Sequence, residues 1–361
     1  MRVAVLQFFS WPQRRVPAAT VYERAMQRIE LMDRTGYDAV WLAEHHFSTF
    51  SICPSVHLMG MHVADRTTNL RIGMGVSLAA TYHPLRLAEE VALLDVLSGG
   101  RVNWGAGRGF QRVEFDAFGI PAEESYARFR EHVEVVLAAW TQERIDFHGR
   151  FVSYEGLEVL PKPLQAPHPP TWMAATSTEA ITWTAGRGLD LMLDPHSTHA
   201  QIAAKWELYH RLLGEAGHPT GGRTVPMARL VAVARTDAEA AAVARAGAEW
   251  TIASYVGTPG NTVAQRAAAT PTPTPTPASA SASASAPGPG PGPVDPLLPN
   301  PMASSDPVQR YVDEVIVHGS PARVLDELTR LRETMHLDYL LAAPLSHESF
   351  ELLTHEVLPK L

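Results

Sequence analysis

Eight short, almost wholly apolar runs recur along the chain: Val3–Phe9, Asp38–Ala43, Leu70–Leu78, Arg101–Gly105, Pro170–Ala175, Leu189–Leu193, Ala228–Ala234 and Leu337–Ala343. Most lack polar/apolar alternation, so each reads as a strand covered on both faces, as in a parallel sheet. Helical patterns lie between them. Tyr22, Met26 and Ile29 share one face, with Gly36 as a stop signal. Leu87, Val91 and Leu94 define a second helix, ended by Gly99–Gly100. Tyr126, Phe129, Val133, Val136 and Trp140 make the clearest stripe, and Ile202, Trp206 and Tyr209 the next. Thr236 with Glu239 reads as a capping box, and Ser320–Pro321 as an N-cap followed by proline at the first helical position. Phe350, Leu353 and Val357 close the chain as a helix. Strand–helix alternation repeated eight times predicts an α/β fold, a (β/α)8 TIM barrel. The rival is a doubly wound open sheet. No crossing-back point is evident, which favours the barrel.

Two stretches interrupt the alternation. Gly149, Gly156 and two prolines punctuate β-like pieces between Phe147 and Pro163, predicting an inserted hairpin. Thr270–Pro293 reads TPTPTPTPASASASASAPGPGPGP, which has no apolar residue beyond alanine and cannot build a packed core. With its flanks, 257–307, it is expected to be a disordered insertion in an otherwise single domain spanning 1–361. It stands where a barrel enzyme would carry a lid, although a passive linker is the simpler reading.

Composition removes several classes of function. Net charge is -8 and no basic block occurs, so a nucleic-acid partner is not expected. The single cysteine, Cys53, leaves neither an internal disulfide nor a thiolate zinc site, and a reduced, cytoplasmic setting fits. No apolar run approaches a membrane span, and the amino-terminal run is too short for a signal peptide. None of the 16 histidines falls in a His-Glu-x-x-His or similar metal-binding spacing.

In a barrel, chemistry sits at the carboxyl ends of the strands. Those ends read Gln7–Phe9, Glu44–Phe47, Ser77–Pro84, Gly105–Gly109, Thr176–Glu179 and Asp194–His196. Glu44-His45-His46-Phe47 is the densest. Neighbours in extended backbone point to opposite sides, so only one of the two imidazoles readily faces the mouth. A neutral histidine there can donate, accept or shuttle a proton. Gly105-Ala-Gly107-Arg108-Gly109 only partly matches a dinucleotide fingerprint, because Phe110 stands where the last glycine belongs. A methyltransferase-type loop is another reading. So is a glycine-lined loop that lets a planar ring or phosphate approach, with Arg108 reaching an anion or making a surface ion pair. Thr176-Ser177-Thr178 offers either a helix N-terminal anion site or plain capping, since Thr176 and Glu179 fit a capping box.

These blocks fall in the order of the bacterial luciferase-like, flavin-dependent monooxygenases. The matching stretches are Gly36–Phe47, Arg71–Val76, His83–Asp95, Ser98–Gly109 and Phe115–Gly119. The resemblance spans most of residues 1–260 and returns at His318–Pro321. It implies a TIM-barrel subunit that binds reduced FMN at the carboxyl-terminal mouth and uses O₂ through a flavin C4a-(hydro)peroxide. His45 resembles the family's catalytic histidine, with Glu44 and His46 in support. Arg108 and Ser177 match its phosphate-binding pair, and Gly107 and Thr176 line the same region. The family's non-proline cis peptide maps to Gly75–Val76. Phe8, Trp41 and Phe47 would supply an apolar substrate pocket. Thr176 stands where luciferase has an acid and Gly107 where it has a reactive cysteine, which argues against light emission as such.

The resemblance also implies a small organic substrate, a separate flavin reductase and a homodimer formed through early helices. The surplus apolar residues of Leu85–Leu97 fit that last expectation. Two alternatives stay open: an F420-dependent oxidoreductase of the same fold, and a non-catalytic flavin-binding subunit.

Overall fold

The computed structural model describes residues 1–256, 295–299 and 304–361. The repeat Thr270–Pro293 lies outside the described residues.

The predicted strands form one curled parallel sheet. They are β1 (Arg2–Gln7), β2 (Ala39–Leu42), β3 (Arg71–Met74) with β4 (Ser77–Leu78), β5 (Val102–Gly107), β8 (Thr171–Ala174), β9 (Asp190–Met192), β10 (Pro226–Val233) and β12 (Tyr339–Pro344). They pair in the order β10-β12-β1-β2-β3-β5-β8-β9, with β4 also on β5. A parallel bridge between Leu193 and Met227 closes the ring, with Leu193 N donating to Pro226 O at 2.9 Å and Ala228 N to Leu193 O at 3.0 Å. The barrel therefore holds over the open sheet. Closure leaves no crevice at a reversal of strand order, so the carboxyl-terminal mouth is where a site can form.

The sequence reading needs three adjustments. The third apolar run is two strands, broken at Gly75–Val76, whose peptide bond is cis as the resemblance implied. A further strand, β11 (Val317–Gly319), pairs with Val231–Val233 of β10; at three residues it is too short to show a period. The capping box at Thr176 does not form: Ser177 is the N-cap of α6 (Thr178–Gly186), its hydroxyl accepting from Ala180 N at 3.2 Å. The capping box of α8 (Asp237–Thr251) forms as read, with Thr236 and Glu239 reciprocally bonded. The inserted hairpin is β6 (Ile145–His148) with β7 (Ser153–Leu157), antiparallel and starting two residues earlier than expected.

Inside the barrel the floor is aromatic. Trp41 is fully buried, packs edge-on against Trp172 with centroids 5.4 Å apart, and donates from Nε1 to the Tyr339 hydroxyl at 3.2 Å. The indole fits because Gly73 faces it: a Cβ there would meet the Trp41 ring at 2.3 Å. Outside the barrel, α3 (Pro84–Leu97) buries Leu87, Val91 and Leu94 but leaves Leu93, Val96 and Leu97 exposed. Among the described residues, no helix is long and apolar enough to cross a membrane.

Candidate active site

A cavity of about 240 Å³ opens among the carboxyl ends of the strands. Leu6, Val76, Met192, Ala228 and Leu341 give it apolar walls, and Glu44, His45, Arg108, Arg130, Thr176, Asp194 and His196 bring polar groups to it. Among the residues expected to form a site, Phe8, Glu44, His45, Gly75, Val76, Gly107, Arg108 and Thr176 line this cavity.

Four expected residues stand elsewhere. His46 points away from the cavity wall that His45 faces, as alternation in extended backbone requires. Its Nε2 lies 3.0 Å from Glu44 Oε1 and its ring packs edge-on against Phe118. Ser177 spends its hydroxyl capping α6. Trp41 lies below the cavity in the barrel floor, because strand position 41 falls three residues short of the mouth. Phe47 adopts a left-handed backbone (φ 54°), is 63% exposed and rests on Phe118, so it sits on the outer rim.

His45 is held by its backbone and by aromatic neighbours. Its N–H donates to Cys53 O at 3.1 Å, Phe8 stacks on the ring at 6.1 Å and Phe50 meets it edge-on at 5.3 Å. Burial, with smaller contributions from the charges of His196 and His46, pushes its pKa down to about 3. A carboxylate next to an imidazole raises its pKa when the two groups meet. The shift runs the other way, because desolvation dominates and Glu44 is engaged by other groups. Its Oε1 faces His46, while Oε2 accepts from the Tyr82 hydroxyl at 3.1 Å and Leu78 N at 3.4 Å. Glu114, which the sequence reading missed, accepts from His46 N at 3.1 Å, and burial pushes its pKa up to about 7. Nothing local in the sequence joins it to the histidine pair; it comes from α4 (Arg112–Ala117), 68 positions on.

The cationic part of the lining is built on β5 and α5 (Ser125–Thr141). Arg108 donates to Ser125 Oγ at 2.8 Å and lies 4.0 Å above the Tyr126 ring. Gly107 lets β5 pass close beneath Val76, since a Cβ would meet Val76 Cγ2 at 2.4 Å. Arg130, also missed because a lone arginine on a helix carries no motif, bonds Glu179 at 2.7 Å. Asp295 sits at the N-terminus of α6, accepting from Thr178 N at 2.7 Å and Thr178 Oγ1 at 3.0 Å, and Leu298 and Pro299 line the cavity. The flank 295–299 of the low-complexity region is thus seated at the mouth.

Two guanidinium groups and a threonine suit an anion, while the adjoining apolar walls and neutral imidazole suit a flat, largely apolar body. This donor set fits a flavin phosphate and ring together. The fold is a TIM barrel with a part-cationic, part-apolar cavity at its carboxyl-terminal mouth. The comparisons agree: the luciferase-like monooxygenase family matches residues 1–336, and the chain belongs to that family. The oxygenase component of flavin-dependent trigonelline monooxygenase from Acinetobacter baylyi is 30% identical over 177 residues, 48% of this chain and 49% of that protein. The chain spans about half the length of the curated relatives it matches. The type II Baeyer–Villiger oxygenating constituent of 3,6-diketocamphane monooxygenase from a Pseudomonas putida plasmid, solved with FMN, superposes with a TM-score of 0.75 at 19% identity, covering 100% of this chain and 99% of that one. An F420-dependent secondary alcohol dehydrogenase shares the fold at a TM-score of 0.70 and 12% identity, with 99% and 98% covered.

Proposed function

We propose that this chain is the oxygenase of a two-component system, using reduced FMN and O₂ to oxygenate a small organic substrate. A separate reductase would supply the reduced flavin, as the naming of the trigonelline relative as an oxygenase component suggests. The observation that carries the reading is the joint placement of Arg108, Arg130 and Thr176 with His45 on one cavity. Bound reduced flavin supplies the electrons that activate O₂.

The chain's own residues do the rest. Arg108 and Arg130 would hold the phosphate, assisted by Thr176. Gly75, Val76 and Gly107 let the ring lie against backbone. Phe8, Met192 and Leu341 keep water from the reacting centre. His45, neutral at physiological pH, accepts or returns a proton beside the ring. Glu44 Oε1 and His46 Nε2 form a neighbouring pair, with the His46 side chain 11% exposed.

The test is direct. Arg108→Ala should weaken FMN binding by more than the ~1 kcal/mol of a surface ion pair and leave riboflavin binding unchanged. Unchanged FMN affinity would overturn the phosphate assignment. The absorbance of ligand retained on purification separates FMN from F420, the second reading that the shared fold keeps in view. The exposed Leu93, Val96 and Leu97 face of α3 supports a homodimer; a single monomeric boundary in sedimentation at micromolar concentration would remove it.

A further inference from the structure

One wall of the cavity is carried by the short stretch 75–78. Gly75, Val76 and Leu78 face the cavity, while Ser77 is turned away from it and fully buried. β4 is only two residues long and pairs with β5 through Ser77 and Leu78, so the ladder alone holds it weakly. Side chains supply the rest. The Ser77 hydroxyl meets buried His57 of α2 (Val56–Arg66), with Oγ and Nε2 2.9 Å apart. A hydroxyl donates or accepts, so this bond forms with the ring proton on either nitrogen. The other nitrogen, Nδ1, lies 3.3 Å from Glu90 Oε2 on α3, and Arg86 Nη2 donates to Glu90 Oε1 at 2.9 Å. The Tyr82 ring stands edge-on to the imidazole at 5.3 Å, and its hydroxyl donates to Glu44 Oε2, the oxygen that also accepts from Leu78 N. A second buried imidazole, His132 of α5, donates from Nδ1 to Ala79 O at 2.9 Å.

We propose that His57 is a positioning residue for this cavity: by holding Ser77 it fixes the backbone that presents Val76 and Leu78 to a flavin ring and orients the Glu44 carboxylate. The flavin part rests on the proposed function; the grip on Ser77 does not. Replacing a buried hydrogen-bonded pair by apolar groups of the same shape is close to neutral in stability. What a satisfied buried pair adds is one defined geometry. Here that geometry reaches the cavity, because the wall has no slack. A Cβ on Gly75 would meet Leu6 Cδ1 at 3.0 Å, and one on Gly107 would meet Val76 Cγ2 at 2.4 Å. A displacement at Ser77 therefore passes to Val76 on one side and, through Leu78 N, to Glu44 on the other.

The experiment is amide hydrogen exchange on the full chain, read at residues 75–82, with FMN titrated in parallel. Ser77→Ala and His57→Leu should each speed exchange at the Leu78 and Ala79 amides about fivefold, the worth of one hydrogen bond. The double variant should be no faster than either, because a single bond is lost once. His57→Gln, whose amide still bonds a hydroxyl, should restore part of the protection. FMN affinity should fall several-fold in each single variant, equally in the double, with a changed visible circular dichroism of the bound flavin. Should His57→Leu fail to fold, Ser77→Ala removes one oxygen and His57→Gln completes the cycle. Native exchange at residues 78 and 79 in Ser77→Ala overturns the proposal, as do losses that add in the double variant. Faster exchange with native FMN affinity and dichroism overturns it too. A native chain that binds no FMN but shows the expected exchange pattern fails the flavin reading alone.

Discussion

The loops after β2 and β9 perform the same task by different means. Each delivers one imidazole to the cavity, and in each burial keeps the ring neutral, at about 3 for His45 and about 4 for His196. Behind His45 stand aromatic rings, and next to it a carboxylate–imidazole pair with a second carboxylate, Glu114, on the backbone of His46. Behind His196 stand a buried lysine and a buried arginine around one aspartate. The first loop keeps an outward connection through His46. The second is locked inside. The first loop carries a partly exposed carboxylate–imidazole network and the second a buried ion cluster.

The widest gap between them is catalytic. His45→Ala should lower product formation by roughly 10²–10⁴-fold, with circular dichroism and FMN affinity close to native. Oxygen consumption should then appear as hydrogen peroxide instead of product. A His45 variant with native coupling would erase that gap. Stability should show the reverse ordering. Lys205→Met removes the cation that hydrogen-bonds the Asp194 carboxylate and should cost about 3–5 kcal/mol in urea unfolding, whereas Glu44→Gln at the first loop should cost less. Equal losses would mean both loops are braced alike.

The smallest effect is a pH dependence special to the first loop. Burial raises the Glu114 carboxyl from 4.5 to about 7, so between those values the folded chain keeps a proton that the unfolded chain releases. Its contribution to stability therefore falls as pH rises through that window and is level above it. Glu114→Gln should match the native chain near pH 4.5 and exceed it by roughly 2–3 kcal/mol at pH 8. The depressed imidazoles act oppositely in both proteins, losing stability as pH falls below 6.5, so only the difference between native and variant isolates Glu114. Parallel curves would remove it from the network.

The same contrast explains what could be read from the sequence. Barrel strands are unbroken apolar runs, and all eight were legible; β11, with His318 at its centre, was not. Glu44, His45 and His46 are consecutive, so their grouping showed; alternation allowed one imidazole inward, and the family resemblance singled out His45. The His196 support is drawn from positions 194, 205, 229 and 311, which no spacing rule connects. Asp194-Pro-His196 was visible as a strand end, but nothing local marked Lys205 or Arg229 as buried. Trp41 misled for a geometric reason: apolar and near the motif, it lies one turn of the strand ladder too deep. Ser177 was placed at the right helix, yet the shift of the cap from Thr176 to Ser177 depended on a backbone angle that composition does not set.

Trp41, Trp172 and Tyr339 shut the barrel axis beneath Leu6, Met192 and Leu341. Among the described residues their close packing through Gly73 fills the barrel axis on the amino-terminal side of the cavity. If flavin and substrate share this cavity as proposed, both enter from the carboxyl-terminal face and form a queue. Whichever lies deeper must arrive first and depart last, so the steady-state kinetics should follow a compulsory sequence, with the outer guest trapping the inner one.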